Sequence, residues 1–208
     1  MKKLLLASNG KFLIEKGYDL LGVPKDHIRI AYITTASKGA RDLNYLENHK
    51  KSMHANGLDF EEMDVEGKSL NELDALFSGK NVIHVEGGNT FYLLKAIKES
   101  GCDKVLKELV LRGVIYVGTS AGAYIVCPTI ETSTWGPDKK DDYGLTDFTG
   151  LNLVPFLLKV HYKDELENLF REKIKTASHP VRILRDGQAI LVENDLYTLV
   201  GEGEEVKL

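Results

Sequence analysis

Along the chain, short runs of apolar residues alternate with longer stretches whose apolar positions follow a helical period. Short apolar runs are typical of buried strands, and a helical period is typical of helices that pack one face on a core. This alternation predicts an α/β fold, a three-layer sandwich in which helices cover both faces of a mainly parallel sheet. The predicted strands are 4–7, 28–33, 58–65, 82–85 and 114–117, and the predicted helices are 11–21, 40–56, 70–77, 90–98 and 104–112.

The pattern changes after Pro128. Residues 132–149 are rich in Asp, Lys, Gly, Thr and Ser, and we interpret them as a mobile loop, either a lid over a site or a plain surface excursion. Beyond this loop the pattern predicts a helix at 166–175 and short strands at 181–184, 188–193 and 196–200. Asn194-Asp195, between the last two strands, predicts a tight hairpin turn.

The composition excludes several classes of protein. A chain of 208 residues, 43% of them hydrophobic, is long enough to form one domain, 1–208, with its own core. A net charge of −4 offers no basic surface for nucleic acid or an anionic membrane, and no apolar stretch approaches the ~20 residues that span a bilayer. Cys102 and Cys127 make neither a disulfide framework nor a metal-binding set, and we expect both to be reduced in the cytoplasm.

The motif GTSAGA at 118–123 directly follows the predicted strand 114–117. A strand, a sharp glycine-flanked turn and a helix form a nucleophile elbow, which would expose the Ser120 hydroxyl above a helix N-terminus. The Ala121 N–H would then be free to bind an oxyanion. An ordinary glycine-rich turn between a strand and a helix has the same pattern, so the motif alone leaves both interpretations open.

A second glycine turn, EGGNT at 86–90, follows the predicted strand 82–85. We interpret it as the partner of the elbow, with the Gly88 N–H near that of Ala121 so that the two form an oxyanion hole. Gly87 and Asn89 are predicted to contact substrate in the same turn. A simple tight turn or a phosphate-binding turn remains the alternative, although the motif is neither a P-loop nor a dinucleotide fingerprint.

A serine nucleophile needs a base, and the base needs an acid that orients it. His161 follows the apolar run 156–160 at a predicted strand end, the position that a base requires. Asp186, in a turn after another apolar run, is the candidate acid. Asp164 and Glu165 compete with it, but we interpret them as a helix cap and a first-turn residue. Of the other histidines, His49 and His54 are expected to be exposed on a helix, His27 and His179 to lie in surface turns, and His84 to be a core residue.

The chain resembles the serine peptidases of family S51, the peptidase E (aspartyl dipeptidase) family, with the cyanophycinases as more distant kin. The resemblance rests on GGNT at 87–90, GTSAGA at 118–123, CPTI at 127–130 and His161. It covers most of the chain, and the two glycine motifs, about thirty residues apart, are specific together.

The resemblance implies a Ser–His–acid triad on a fold similar to that of the class I glutamine amidotransferases, which is flavodoxin-like, with no metal or cofactor. Ser120 would be the nucleophile, His161 the base, and the Gly88 and Ala121 amides the oxyanion donors.

Two positions depart from the family pattern. The family has a glutamate as its triad acid, whereas the matching turn here carries Asp186, which is one methylene shorter. Peptidase E also binds an N-terminal aspartate with an arginine, and gapless placement puts Glu165 at that position although Arg171 lies nearby. We therefore expect a substrate pocket that differs from that of peptidase E.

The leading functional hypothesis is a serine exopeptidase, dipeptidase-like, that cleaves short peptides through an acyl-enzyme and exists as a monomer or homodimer. A different amide hydrolase or acyl-transfer enzyme on the same scaffold is the first alternative. Cys127, seven residues beyond Ser120, is interpreted as core packing rather than as its nucleophile. A non-catalytic binding protein that retains the elbow is the second alternative.

Overall fold

A computed structural model of the chain describes residues 1–40, 42–136 and 143–208. Its strands are β1 (Lys3–Ala7), β2 (Arg29–Ile33), β3 (Asp59–Met63), β4 (Val82–Val85), β5 (Ile115–Thr119), β6 (Leu157–Lys159), β7 (Val181–Ile183), β8 (Gln188–Glu193) and β9 (Leu196–Gly201). Its α-helices are α1 (Gly10–Glu15), α2 (Asn44–Ala55), α3 (Leu70–Phe77), α4 (Thr90–Ser100), α5 (Cys102–Leu111), α6 (Ala121–Tyr124) and α7 (Glu167–Ile174).

Seven strands form one sheet in the order β3-β2-β4-β5-β1-β8-β9. The first five strands in this order are parallel, β8 runs antiparallel to β1, and β9 runs antiparallel to β8. Strands β6 and β7 form a separate parallel pair. The predicted α/β class with a mainly parallel sheet is confirmed, and the carboxyl ends of β1, β4 and β5 meet at one edge.

Alternate residues of each central strand enter different cores. In β1, Leu4 and Leu6 pack with α3, α4 and α5, whereas Leu5 and Ala7 pack with α1 and α2 on the other face. Both faces are therefore buried, which explains why the strands read as continuous apolar runs. Each fully buried leucine contributes about 1.5–3 kcal/mol, so the two cores hold the sheet edge in place.

Some boundaries differ from the predicted ones. The predicted helix 11–21 is interrupted at Lys16, where φ is −147°, and the chain continues as a short 3-10 helix, Gly17–Leu21. Gly17 packs on the core, where an added Cβ would come within 2.6 Å of Leu13 Cδ2. The predicted helix 40–56 begins only at Asn44, whose N–H binds the Asp42 side chain.

The segment predicted as a mobile loop, 132–149, is partly regular. A 3-10 helix spans Glu131–Thr134, and Thr132 and Trp135 are buried. Residues 137–142 lie outside the described residues, so the lid and mobile-loop interpretations stay predictions. Across the rest of the chain, no helix has both the length and the apolar character needed to cross a membrane.

Candidate active site

Ser120 lies in the sharp turn between β5 and α6. Its backbone has φ 47° and ψ −103°, and its N–H donates to the Ala7 carbonyl at 3.0 Å. The glycine that follows in the motif permits this close packing, because a Cβ on Gly122 would come within 2.1 Å of the Val85 carbonyl oxygen. The strained turn leaves the serine side chain at the carboxyl edge of the sheet.

Three polar side chains meet at this edge. The Ser120 Oγ lies 2.9 Å from His161 Nε2, and His161 Nδ1 lies 2.7 Å from Asp186 Oδ1. His161 follows β6 with φ 57°, and Asp186 lies in the turn between β7 and β8. The hydrogen bond from His161 holds the pKa of Asp186 below its usual value, against the opposing effect of partial burial. The structure therefore brings the three predicted residues into one hydrogen-bonded chain.

Ser8, which the sequence analysis did not single out, supports this chain. Its Oγ donates to Asp186 Oδ1 at 2.9 Å and accepts from the His161 N–H at 3.0 Å, while its own N–H binds the Gln188 carbonyl. The side chain is completely buried directly after β1. A polar residue at the carboxyl end of a central strand was the available signal, because that edge is where the other site residues converge.

The glycine turn after β4 lies beside the serine. A Cβ on Gly87 would be 3.3 Å from Ser120 Cβ, and Gly88 has φ 146° with its backbone against Ala36. Within the described residues, neither the Gly88 N–H nor the Ala121 N–H donates a hydrogen bond. Both amides are thus available to an incoming oxygen, as an oxyanion hole requires.

Asn89 and the two alternative acids make contacts of other kinds. Asn89 is buried and caps α4, where its Oδ1 accepts the N–H groups of Phe91 and Tyr92. Asp164 lies in the first turn of a 3-10 helix whose cap position is Lys163, so the capping prediction was wrong. Its carboxylate instead pairs with Arg185, with Oδ2 3.2 Å from Nη1, away from the histidine. Glu165 lies in the same first turn, as expected.

Two interpretations of buried residues are confirmed. His84 lies in the core with Nδ1 2.8 Å from the Tyr18 hydroxyl, and burial lowers its pKa to about 3. Cys127 is buried, its thiol lies 3.7 Å from the Ala123 carbonyl, and burial raises its pKa to about 12. A thiol with so high a pKa carries almost no thiolate at neutral pH, which argues against Cys127 as a nucleophile.

The prediction that His49 is exposed was wrong. Its side chain is buried between α2 and the sheet, and Nδ1 binds Glu86 Oε2. Glu86 is 2% exposed, and its Oε2 also accepts the Tyr32 hydroxyl at 2.5 Å. Burial opposes ionisation of this carboxyl, but the hydrogen bonds from His49 and Thr119 nevertheless hold its pKa low.

His49, His84 and Glu86 also place ligand-type atoms within 4.8 Å of one another. Both oxygens of Glu86 already accept two hydrogen bonds each, from two side chains at Oε2 and from the Gly87 N–H and Thr119 Oγ1 at Oε1. A metal ion would have to displace these donors, so the arrangement fits a hydrogen-bond network better than a metal centre.

A cleft of about 430 Å³ opens beside the glycine turn, between α1 and α2. Asn9, Tyr45 and His49 contribute to its walls, and Glu86 lies at its base. The Tyr45 hydroxyl donates to the Gly87 carbonyl at 2.9 Å, which joins the cleft wall to the turn beside Ser120. The cleft therefore lies next to the glycine turn at 87–88.

Comparison with known proteins gives a consistent family. The model of peptidase family S51 matches residues 4–200. An uncharacterized peptidase of Pasteurella multocida is 31% identical over 204 residues, 97% of this chain and 98% of that protein. An uncharacterized peptidase of Listeria monocytogenes is 36% identical over 147 residues, 71% and 72% of the two chains. Peptidase E of Nostoc sp. is 31% identical over 170 residues, 77% of this chain and 66% of that protein.

The fold agrees with this result. A crystal structure of a Listeria monocytogenes EGD-e protein, described as a candidate peptidase E, has a TM-score of 0.86 and 29% sequence identity to this chain. The match covers 98% of this chain and 100% of that one. Because both the family model and these relatives span most of its length, the chain belongs to peptidase family S51 and is a peptidase.

Proposed function

We propose that the protein is a serine exopeptidase that hydrolyses short peptides through Ser120, His161 and Asp186. The observation that carries this proposal is the continuous hydrogen-bond chain from the Ser120 hydroxyl through both nitrogens of His161 to the Asp186 carboxylate. A nucleophile, a base and an orienting acid in this order are the geometry that acyl transfer to serine requires.

In the proposed reaction, His161 Nε2 takes the proton from Ser120 Oγ as the oxygen attacks the scissile carbonyl carbon. The Gly88 and Ala121 N–H groups stabilise the tetrahedral oxyanion. His161 then gives its proton to the leaving amine, which leaves an acyl-enzyme on Ser120. Water, deprotonated by the same histidine, attacks the ester and releases the acid product.

Asp186, although one methylene shorter than a glutamate, can orient His161. Asp186 Oδ1 reaches His161 Nδ1 at 2.7 Å, and it also accepts from the Ser8 hydroxyl. A carboxylate that accepts the Nδ1 proton fixes the tautomer in which Nε2 is free to act as a base. The Ser8 contact fixes the carboxylate in turn, so the loss of one methylene does not leave the acid out of reach.

The preference for short peptides is carried over from the resemblance to the peptidase E family, whereas a preference for aspartate is not. Arg171, the nearby arginine, is exposed and is paired with Glu167 at 2.7 Å. Glu165, at the position expected for the specificity residue, carries the opposite charge. We therefore propose a peptidase that does not select an acidic N-terminal residue.

Hydrolysis of a panel of dipeptides and aminoacyl fluorogenic amides, with Ser120→Ala beside the wild type, tests the proposal. Cleavage of some substrates by the wild type and none by the variant supports it. A fluorophosphonate probe separates the alternatives: labelling of Ser120 without peptide cleavage favours another amide hydrolase, and a folded wild type that is not labelled favours a binding protein.

A further inference from the structure

We propose that Glu86 is a positioning residue for the oxyanion hole, because its buried carboxylate joins the turn that carries Gly88 to the turn that carries Ala121. The inference rests on the proposed function, in which the N–H groups of these two residues bind the oxyanion. It assigns a role to a buried acid that the Ser–His–Asp mechanism leaves unused.

One oxygen makes the connection. Glu86 Oε1 accepts the Gly87 N–H at 2.7 Å and the Thr119 hydroxyl at 2.5 Å. Gly87 directly precedes the first oxyanion amide, and Thr119 directly precedes the nucleophile. A single oxygen atom therefore binds a neighbour of Gly88 in one turn and a neighbour of Ser120 in the other.

The backbone supplies little connection at this point. The parallel pairing of β4 with β5 ends where Val85 lies opposite Gly118. Beyond that pair, no backbone hydrogen bond among the described residues joins the two turns, and the side chain of Glu86 supplies a link there. The separation of two amides that must both lie about 3 Å from one oxygen depends on such a link.

The second oxygen prevents the carboxylate from rotating. Glu86 Oε2 accepts the Tyr32 hydroxyl at 2.5 Å and binds His49 Nδ1, so all four strong acceptor directions are occupied. At 2% exposure the charge is costly to bury unless each of these partners is present. Buried charges with this cost contribute little net stability, whereas their fixed geometry can specify one arrangement of the surrounding chain.

The expected kinetic effect is confined to the transition state. Glu86→Ala leaves the Gly87 N–H and the Thr119 hydroxyl without their common acceptor, so the two turns can separate. Because removal of one oxyanion donor costs about 10²–10³ in kcat, we expect a loss of about 10²-fold in kcat. KM should change much less, since the oxyanion forms only after the substrate is bound.

Glu86→Gln should restore most of this loss. The amide oxygen can take the place of Oε1 and keep both loop contacts, while the NH₂ group takes the place of Oε2. Tyr32 and His49 can both become acceptors there, by rotation of the hydroxyl and by a change of tautomer. A kcat near that of the wild type in Glu86→Gln, together with a low kcat in Glu86→Ala, indicates a link between the two turns. A low kcat in both variants indicates a requirement for the negative charge.

The test measures two quantities on folded variants: kcat and KM for a cleaved dipeptide, and the limiting inactivation rate by a fluorophosphonate, whose phosphoryl oxygen occupies the oxyanion hole. Thr119→Val removes one of the two loop contacts with little change of shape, and should lower both rates in the same way but by less. Ser100→Ala removes a buried hydroxyl remote from the site and is the matched control.

If the Glu86→Ala variant has the same inactivation rate and the same kcat as the wild type, the inference is overturned and the proposed function is left intact. Should that variant not fold, unchanged rates in Thr119→Val would overturn it instead. Failure of the fluorophosphonate to label the wild type would overturn the proposed function, and the inference with it.

Discussion

Substitutions at Ser120 separate the chemistry of its hydroxyl from the strain of its backbone. Alanine removes Oγ and keeps Cβ, so the residue stays in the sparsely populated region at φ 47° and ψ −103°. Glycine removes both Oγ and Cβ, and it adopts positive φ without steric cost. Both variants lose the contact with His161, so any difference between them reports the backbone alone.

The magnitude follows from two opposing effects. A non-glycine residue held in such a conformation costs about 1–3 kcal/mol. Glycine recovers this cost but loses about 0.5–1 kcal/mol through the greater freedom of the unfolded chain. The net advantage of glycine over alanine is therefore about 1 kcal/mol, which corresponds to about 2–4 °C in Tm for a domain of this size.

Differential scanning calorimetry of the two variants measures this difference, and peptide hydrolysis serves as the second readout. Ser120→Gly should melt above Ser120→Ala, and both should be inactive. A lower Tm for the glycine variant would refute the argument that the elbow is strained. Residual turnover in either variant would count against Ser120 as the nucleophile.

Four further results are expected. Asp186→Asn should reduce kcat far more than Asp164→Asn, because only the first carboxylate contacts His161; equal losses would contradict this choice of acid. Because the folded pKa of Asp186 is lowered, its stabilising effect should be present above about pH 4 and disappear as the pH falls further, so the Tm values of wild type and Asp186→Asn should converge in acid. The Cys127 thiol should resist iodoacetamide at pH 8 in the folded protein and react after unfolding, as mass spectrometry would show; rapid native alkylation would contradict its burial. Gly122→Ala should destabilise the fold by at least the ~1–3 kcal/mol typical of overpacking, measured by urea denaturation, since its Cβ would meet a backbone oxygen at 2.1 Å; an unchanged midpoint would argue against the tight elbow.

The sequence predicted the sheet and the elbow because their causes are local. A strand buried on both faces must be apolar throughout, and the close approach at Gly122 leaves no room for a side chain. These requirements appear directly in the order of residues. The interruption of the first helix at Lys16 was not predictable in this way, because buried positions continue at a helical spacing from α1 into the 3-10 helix Gly17–Leu21.

The supporting polar residues were missed because their partners are distant in sequence. His49 occupies an apolar stripe of α2 between Leu46 and Met53, a spacing that could have indicated burial. Its partner, Glu86, looked like an ordinary turn residue because only the fold places four donors around it. Ser8 likewise acquires its role from residues more than 150 positions away.

That long separation has a consequence for the order of events during synthesis. Asp186, the acid of the proposed triad, is made 66 residues after Ser120, a delay of roughly 3–13 s at ribosomal rates of about 5–20 residues per second. A nascent chain that stops short of Asp186 carries Ser120 and His161, yet the Ser8 hydroxyl lacks the carboxylate to which it donates in the folded protein. Under the proposed function, hydrolytic competence therefore requires β8 to pair with β1, which brings Asp186 to Ser8 and His161.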